Sequence, residues 1–422
     1  MTVEKNLFPY DLAVVAIFKD EAPYLREWLD YHLAAGVEHF YLYNNDSSDN
    51  FAEILAPYIA ANIVTLIDYP GKAMLIPAYE DAVQNFRFTC RYMPILDLDE
   101  FLYPKTRQNI ADFIDDFFSC HDNAGGLGIN WQHFGPNGQE TADYSRGVLE
   151  RFTRRAVDDW TFKNEDGEPR GNIFIKSVVN PRRVDYFDGP HNILYFGDFK
   201  SINSSGTDTY FTANFPVMTD KIVINHYYPK SREEFIKNKI TRGDVARVVN
   251  LYKMSLFEIY DRNEVFDDGI LKYRAACAEK FSLETDEQRL RRVEKTLIDT
   301  LTQCSPFDAP KEFFVGKLET FLTCRALAEQ FDIKIGSRSA EEFALVWIYQ
   351  TLTQAEPLIQ ADVQQFIRAL PEILARPFPI CRKLKQLAQE VIIPSFGAAL
   401  KNNFQFEKFS EVRYINRLLK LI

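Results

Sequence analysis

The chain opens with a regular succession of apolar runs and amphipathic stretches. Residues 12–18 (LAVVAIF) are continuously apolar and rich in β-branched side chains, the pattern of a strand buried on both faces of a parallel sheet. Next, Tyr24, Leu25, Trp28, Leu29, His32 and Leu33 recur at steps of three and four, which predicts a helix, and Gly36 stands where its C-terminal cap belongs. Residues 39–44 (HFYLYN) read as a second strand, ending in a polar cluster from Asn44 to Asp49. A second helix (NFAEILAPYIA), a strand (NIVTLIDY), a third helix around 73–90 and a strand in MPILDLDEFLY continue the alternation. Such alternation implies right-handed crossovers and a mostly parallel central sheet covered by helices, so the predicted class is α/β. Ligands of these sheets lie beyond the carboxyl ends of the strands, where the polar clusters at 19–21, 44–49 and 97–100 fall.

From about 105 to 230 the runs shorten (GLGINW, NIFIKSVV, ILYFG, KIVINHYY) and Gly, Pro and Asn turns separate them, as in the second, acceptor-binding half of one domain. After 231 helical periodicity takes over, in SREEFIKNKITRGDVARVV, DEQRLRRVEKTLIDTL and AEEFALVWIYQTL. A chain of 422 residues exceeds the usual size of a single core. We therefore expect an α/β domain over 1–250 and an all-α module over 251–422.

A net charge of -11 argues against wholesale nucleic-acid binding, which needs a basic surface, so any phosphate must be held locally. The apolar stretch near the start is too short for a signal-peptide core or a membrane span. The six scattered cysteines have no metal-finger spacing, and the expected location is a reducing cytoplasm. Residues 376–422 hold nine basic residues against three acidic ones, with Phe404, Phe406, Phe409, Tyr414, Ile415, Leu418 and Leu419 interleaved. Two readings stand: a helix lying peripherally on the inner face of a membrane, or a terminal helix packed on the core.

Candidate chemistry concentrates in a few segments. In a strand, Asp97 and Asp99 of Asp97-Leu98-Asp99-Glu100 point to one face, so two carboxylates converge where a divalent ion, Mn²⁺ or Mg²⁺, could hold a nucleotide diphosphate. His226 leaves an apolar strand either as a third metal ligand, with Lys230, Lys237, Lys239 and Arg242 following as charges for the diphosphate, or as a core histidine under a charged helix face. Asn44 to Asp49 offer nucleotide contacts or a plain turn. Trp131 and His133, on a segment with Gly135 and Gly138, suit a sugar acceptor, as does His191, although Trp131 fits a core position equally well. Glu140, Asp143 and Asp185 are candidates for a general base toward an acceptor hydroxyl.

Four ordered blocks carry a resemblance: F-K-D-E-x-x-Y-L-x-E-W-L-x-Y-H (18–32) continuing to Y-N-N (43–45), D-L-D-E-F-L (97–102), W-x-x-F-G (131–135) and N-H-Y-x-x-K-S-x-E-E-F (225–235). Over about 11–245 the chain resembles glycosyltransferase family 92 and related family-2-like enzymes of the GT-A fold, Rossmann-like in its sheet. The resemblance implies transfer of a hexose, with UDP-galactose the favoured donor, to a saccharide acceptor with inversion. It implies a metal at Asp97, Asp99 and His226, and Lys19, Glu21, Asn44 and Asp49 on the nucleotide side with Asp97. Lys230 and Arg242 would lie near the diphosphate. With the membrane reading of the C-terminus, the acceptor expected is a lipid-linked or surface glycan such as lipopolysaccharide. Two alternatives remain: a non-catalytic nucleotide- or glycan-binding protein on the same fold, and a metal-dependent hydrolase or pyrophosphatase.

Overall fold

The computed structural model describes residues 6–273, 284–303, 324, 327–335 and 338–339. The contacts divide the chain into two units, 10–195 with 199–282, and 283–422 with 1–9 and 196–198. This division falls later than the boundary expected at 250.

The first unit begins β1 (Tyr10–Phe18), α1 (Ala22–Ala34), β2 (His39–Asn44), α2 (Phe51–Ala60), β3 (Val64–Asp68), α3 (Leu75–Phe86) and β4 (Cys90–Pro94). β5 (Glu100–Pro104), α4 (Ile110–Cys120) and β6 (Ala124–His133) follow. Then come the short α5 (Val148–Arg151), β7 (Arg154–Arg155), β8 (Thr161–Lys163) and β9 (Pro169–Gly171), then β10 (Ile175–Val179) and the hairpin β11 (Val184–Phe187) with β12 (Ile193–Tyr195). β13 (Lys200–Ile202), β14 (Ile222–His226) and α6 (Arg232–Phe235) lead into a π-helical turn over Ile236–Thr241.

The main sheet runs β3-β2-β1-β4-β10-β6-β14-β5, with β13 on β6. Its first four strands are parallel; β10 lies antiparallel to both β4 and β6, and β14 runs parallel to β6 but antiparallel to β5. The parallel half with its helices, continued by mixed strands, is the α/β architecture expected of a GT-A domain. β1 shows why its sequence is apolar from Leu12 onward. Leu12, Val14, Ala16 and Phe18 pack in one core with α1, α2 and α4, while Tyr10, Ala13, Val15 and Ile17 pack in a second with α3. A strand covered on both faces cannot alternate apolar with polar residues.

α1 buries the predicted stripe, and Gly36 follows its end with φ +104. A side chain there would be strained by that φ, and its Cβ would stand 2.2 Å from Asn109 Oδ1. Asn109 in turn caps α4, its Oδ1 accepting from Ala111 N at 2.7 Å.

The helix expected through 231–249 is corrected. After α6 and the π-helical turn the chain leaves helical geometry, with Gly243 at φ +81 and no regular element until α7 (Met254–Tyr260). The segment after α7 joins the same unit: β15 (Val265–Phe266) pairs with β7, and Ile270 and Tyr273 are core residues.

In the second unit, α8 (Asp286–Gln303) covers the predicted DEQRLRRVEKTLIDTL segment and buries Val293, Leu297 and Leu301. Arg292 donates to the carbonyls of Asn6 and Phe8. The helix expected at AEEFALVWIYQTL and the basic segment 376–422 lie outside the described residues. Among the described residues, no helix is long and apolar enough to cross a membrane.

Candidate active site

Sheet pairing assembles the centre of the site. His226, the last residue of β14, stands opposite Glu100 on β5 and His133 on β6. Neighbouring strands lie about 4.8 Å apart, so these three segments, distant in sequence, become lateral neighbours. Trp131, two residues before His133, tilts over the His226 ring with 4.5 Å between centroids.

Asp97 and Asp99 do not lie in a strand, which corrects the strand reading of the D-x-D. They occupy a turn between β4 and β5, closed by Glu100 N donating to Asp97 O at 3.1 Å and by Asp97 N donating to Glu100 Oε2 at 2.9 Å. The turn sends the two carboxylates to different partners. Asp97 accepts from Tyr79 Oη and from Lys176 Nζ, both at 2.9 Å. Asp99 Oδ2 takes Lys239 Nζ at 2.8 Å, and its Oδ1 lies 3.4 Å from His226 Nε2. Among the described residues no group of three His, Cys, Asp or Glu forms a metal cage, so of Asp97, Asp99 and His226 the geometry brings only the last two together.

Burial sets the electrostatics. It raises the Asp99 carboxyl, but Lys239, His226 and Lys230 overcome it and hold the group well below the usual carboxylate range. Asp97 is lowered in the same way, with burial opposed chiefly by Lys176. Glu100 goes the other way: burial lifts its carboxyl well above the usual range, against Lys176 and with Asp97 and Asp99 adding. Its Oε1 accepts from Trp131 Nε1 at 2.8 Å, which fixes the indole. Burial also lowers His226, against the pull of Asp99, so the imidazole is held neutral.

An Asp99–His226 separation of 3.4 Å is long for a hydrogen bond. It suits two neighbouring ligands of one ion, which span roughly 3.0–3.4 Å at bonds of about 2.1 Å. A neutral imidazole and an ionised carboxylate with one oxygen free of lysine therefore fit a divalent ion as a two-residue site.

Lys230 is the second notable element. Its backbone is left-handed (φ +51), and it is 4% exposed. The ammonium lies 4.4 Å from the Tyr24 ring centroid and donates no hydrogen bond among the described residues. Burial lowers its pKa, against Asp99 and Glu21. A hidden network holds the surroundings. Arg151 grips Glu234 with two bonds of 2.8 and 2.9 Å, Tyr24 Oη and Ser231 Oγ donate to the same carboxylate, and Asn238 donates to Tyr24.

The other predicted donor residues cluster at the ends of β1 and β2, but several have structural partners. Asn44 donates to Asp68 and accepts from Ser47 N, while Asp49 accepts from Ala22 N and Phe51 N. Arg242 binds the carbonyls of Lys19 and Asp20 and the Glu21 carboxylate, tying down the β1–α1 turn. The Lys19 side chain has no such partner among the described residues. Of the acceptor candidates, Trp131 and His133 are buried at the centre, and His191 packs edge-on to Trp131 at 4.8 Å. The base candidates have other partners or face solvent: Asp185 is exposed on β11, Asp143 holds Ser145, and Glu140 pairs with Arg232 at 3.7 Å. Hydrogen bonds from Arg232 N and Glu233 N to the carbonyls of Gln139 and Glu140 place that loop beside the start of α6.

Lys176 and Tyr79 were not among the expected site residues. Lys176 had a signal: a lysine inside the apolar run NIFIKSVV must be paired if the strand is buried, and it is fully so. Tyr79 had none, being one aromatic residue on an amphipathic helix.

Fold and geometry thus define an α/β protein whose candidate site lies at the carboxyl ends of β1, β2 and β4. The model of glycosyltransferase family 92 matches residues 14–241, more than half of the chain, and the chain belongs to that family. It is similar to a glycosyltransferase family 92 protein of Ricinus communis, 24% identical over 247 residues covering 57% of this chain and 39% of that protein. Another, from Oryza sativa subsp. japonica, is 27% identical over 147 residues, 35% of this chain and 25% of that protein. The chain thus spans two fifths of the first relative and a quarter of the second. Among solved structures, S. aureus TarS in complex with UDP aligns over 81% of this chain and 86% of that one, at 10% identity and a TM-score of 0.31.

Proposed function

We propose that the chain is a metal-dependent, inverting glycosyltransferase that moves a hexose, galactose favoured, from a UDP-sugar to a saccharide acceptor. The observation that carries this reading is Lys230, a buried residue whose ammonium makes no hydrogen bond among the described residues and lies in the field of Asp99. A desolvated cation kept without an anion suits a ligand that brings one, and a diphosphate does. Asp99 and His226 would hold Mn²⁺ or Mg²⁺, which when bound stabilises negative charge on the departing diphosphate. Lys239 sets the Asp99 carboxylate, Arg242 fixes the 19–21 turn, and Lys19 adds positive charge at its edge.

Toward the acceptor, Glu100 and the surrounding rings hold Trp131 rigid, with His133 and His191 beside it. For the proton leaving the acceptor hydroxyl, Glu140 and Asp143 are favoured over Asp185, because their loop is hydrogen-bonded to the start of α6, next to Lys230. A lipid-linked or surface glycan such as lipopolysaccharide as acceptor, and cytoplasmic work against a membrane face, rest on the sequence of the C-terminal segment.

Calorimetric titration of the full chain with UDP, with and without Mn²⁺, tests the reading, with Asp99→Asn and Lys230→Met beside it. Binding that needs Mn²⁺ in the unmodified protein and weakens at least tenfold in each variant is expected. Folded protein that binds no UDP in either condition would sink the donor site. Release of UDP from UDP-galactose into water alone, unchanged by any saccharide, would make it a hydrolase.

A further inference from the structure

Three aromatic side chains stand in water at one tip of the α/β unit: Tyr210 is 75% exposed, Phe211 62% and Phe215 61%. The first two belong to a tight hairpin. Tyr210 N donates to Ala213 O and Ala213 N to Tyr210 O, both at 2.9 Å, which leaves Phe211 and Thr212 as a two-residue turn. Phe211 has φ +49. Hairpin turns of this length favour glycine, asparagine or aspartate at positive φ, because a bulky side chain is strained there. A large ring is thus kept where both backbone and solvation oppose it, a combination that marks binding surfaces rather than folding.

Buried amides hold this tip in place and tie it to the candidate site. Asn214, just after the hairpin, donates to Asn130 Oδ1 and accepts from Asn203 Nδ2, both at 2.8 Å, while Asn130 donates to the carbonyls of Asn172 and Ile173. Sheet pairing continues the link. Trp131 N donates to Phe174 O, and Ala213 bridges Phe174 from the other side. Trp131, Phe174 and Ala213 therefore form one lateral row, about 10 Å across at roughly 4.8 Å per strand. The Phe174 ring packs against both Trp131 and His191, with 5.5 and 5.0 Å between centroids. The exposed hairpin is the outer end of a row that starts at the acceptor candidates.

Local charge selects the kind of partner. Lys200 pairs with Asp208 at 2.7 Å, Arg170 pairs with Glu168, and Lys221 follows Asp220 in the chain. Balanced in this way, these cations offer little to the phosphates of an anionic lipid surface. Rings interleaved with the hydroxyls of Thr209, Tyr210 and Thr212 suit an uncharged saccharide, whose apolar faces cover the rings while its hydroxyls bond at the edges. We propose that Tyr210, Phe211 and Phe215 form an outer platform that holds an uncharged glycan chain of the acceptor, beyond the sugar unit at Trp131. This rests on the acceptor reading of Trp131. A tip already fixed by its amides loses little freedom on binding.

Phe211→Gly separates binding from folding, since it removes the ring and also suits the left-handed backbone. The variant should melt at or above the temperature of the unmodified chain. Fluorescently labelled full chain is applied to an array of uncharged tri- to hexasaccharides without UDP, and UDP affinity is measured beside it by calorimetry. The unmodified chain should bind at least one glycan, and Phe211→Gly and Tyr210→Ser should each weaken that binding about tenfold or more, with UDP affinity unchanged. A Phe211→Gly chain that binds glycan as tightly as the unmodified one, or that melts well below it, overturns the inference alone. So does an unmodified chain that binds UDP but no glycan. Glycan binding that depends on Phe211 in a chain that binds no UDP keeps the platform and sinks the donor site. Absence of glycan binding, with Phe211-dependent binding to vesicles of phosphatidylcholine and phosphatidylglycerol, would make the tip a membrane contact and overturn the proposal.

Discussion

Replacing Glu234 by Gln removes one charge from the network beneath Lys230 while keeping size and shape. Glu234 is fully buried and accepts from both terminal nitrogens of Arg151, from Tyr24 Oη, and from Ser231 N and Oγ. Burial raises its carboxyl, but the Arg151 and Ser231 hydrogen bonds win and bring the pKa from 4.5 to about 2. That difference corresponds to roughly 3.4 kcal/mol favouring the ionised form in the folded chain. Breaking a buried pair typically costs about 3–5 kcal/mol, a range that includes this value. A depressed pKa gives stability that is present above about 4.5 and lost as pH falls toward about 2. At pH 3.5 roughly 1.4 kcal/mol of the wild-type advantage should be gone, so its gap over Glu234→Gln narrows from about 3.4 to about 2 kcal/mol. Urea unfolding followed by tryptophan emission measures this, since Trp28, Trp131 and Trp160 all belong to the α/β unit. A gap under about 1 kcal/mol at pH 7, or one unchanged at pH 3.5, would refute the assigned role of the ion pair.

Other substitutions probe separate parts of the fold. Asn109→Ala removes the cap of α4 and should lower stability by about 1 kcal/mol, with Asn109→Asp recovering most of it in the same denaturation assay. Gly135→Ala would place a Cβ 2.1 Å from the Arg262 carbonyl oxygen, so two backbone segments must separate; a loss of about 1–3 kcal/mol is expected, and an unchanged melting temperature would contradict the close approach. Lys176→Met leaves Asp97 and Glu100 without their shared cation and should destabilise by about 3–5 kcal/mol at pH 7, less at lower pH where the carboxyls take up protons, as a thermal melt series would record.

The parallel half of the sheet was legible because its signals are local. A continuous β-branched run, a three-and-four apolar spacing and a glycine after the last turn each have one cheap solution, and β1, α1 and β2 adopt it. The Asp97–Glu100 turn was misread because apolar residues flank it on both sides, so hydropathy runs unbroken across it. What breaks the strand is the Glu100 carboxylate returning to the Asp97 amide, which no periodicity records. The helix drawn through 231–249 rested on a real spacing of Phe235, Ile236 and Ile240, yet the geometry widens to a π turn and then ends. Asp99, His226 and Lys230 were each visible as residues leaving apolar segments. Their meeting depends on β14 inserting between β5 and β6, a pairing between distant segments. Asn44, Asp49 and Arg242 show what composition does not record: residues read as ligand contacts also knit one loop to another.

The π-helical turn after α6 constrains how this segment can change. Each residue of an α-helix advances the chain by about 100°, and a π turn accommodates one extra residue. Within this register Lys239 reaches Asp99 and Arg242 reaches the 19–21 loop. Removing one residue between Ser231 and Lys239 would swing both cations about 100° around the axis and point them elsewhere. The segment is thus a spacer measured in residues. Substitutions of its exposed side chains should be tolerated, whereas single-residue deletions between Lys230 and Arg242 should be more damaging.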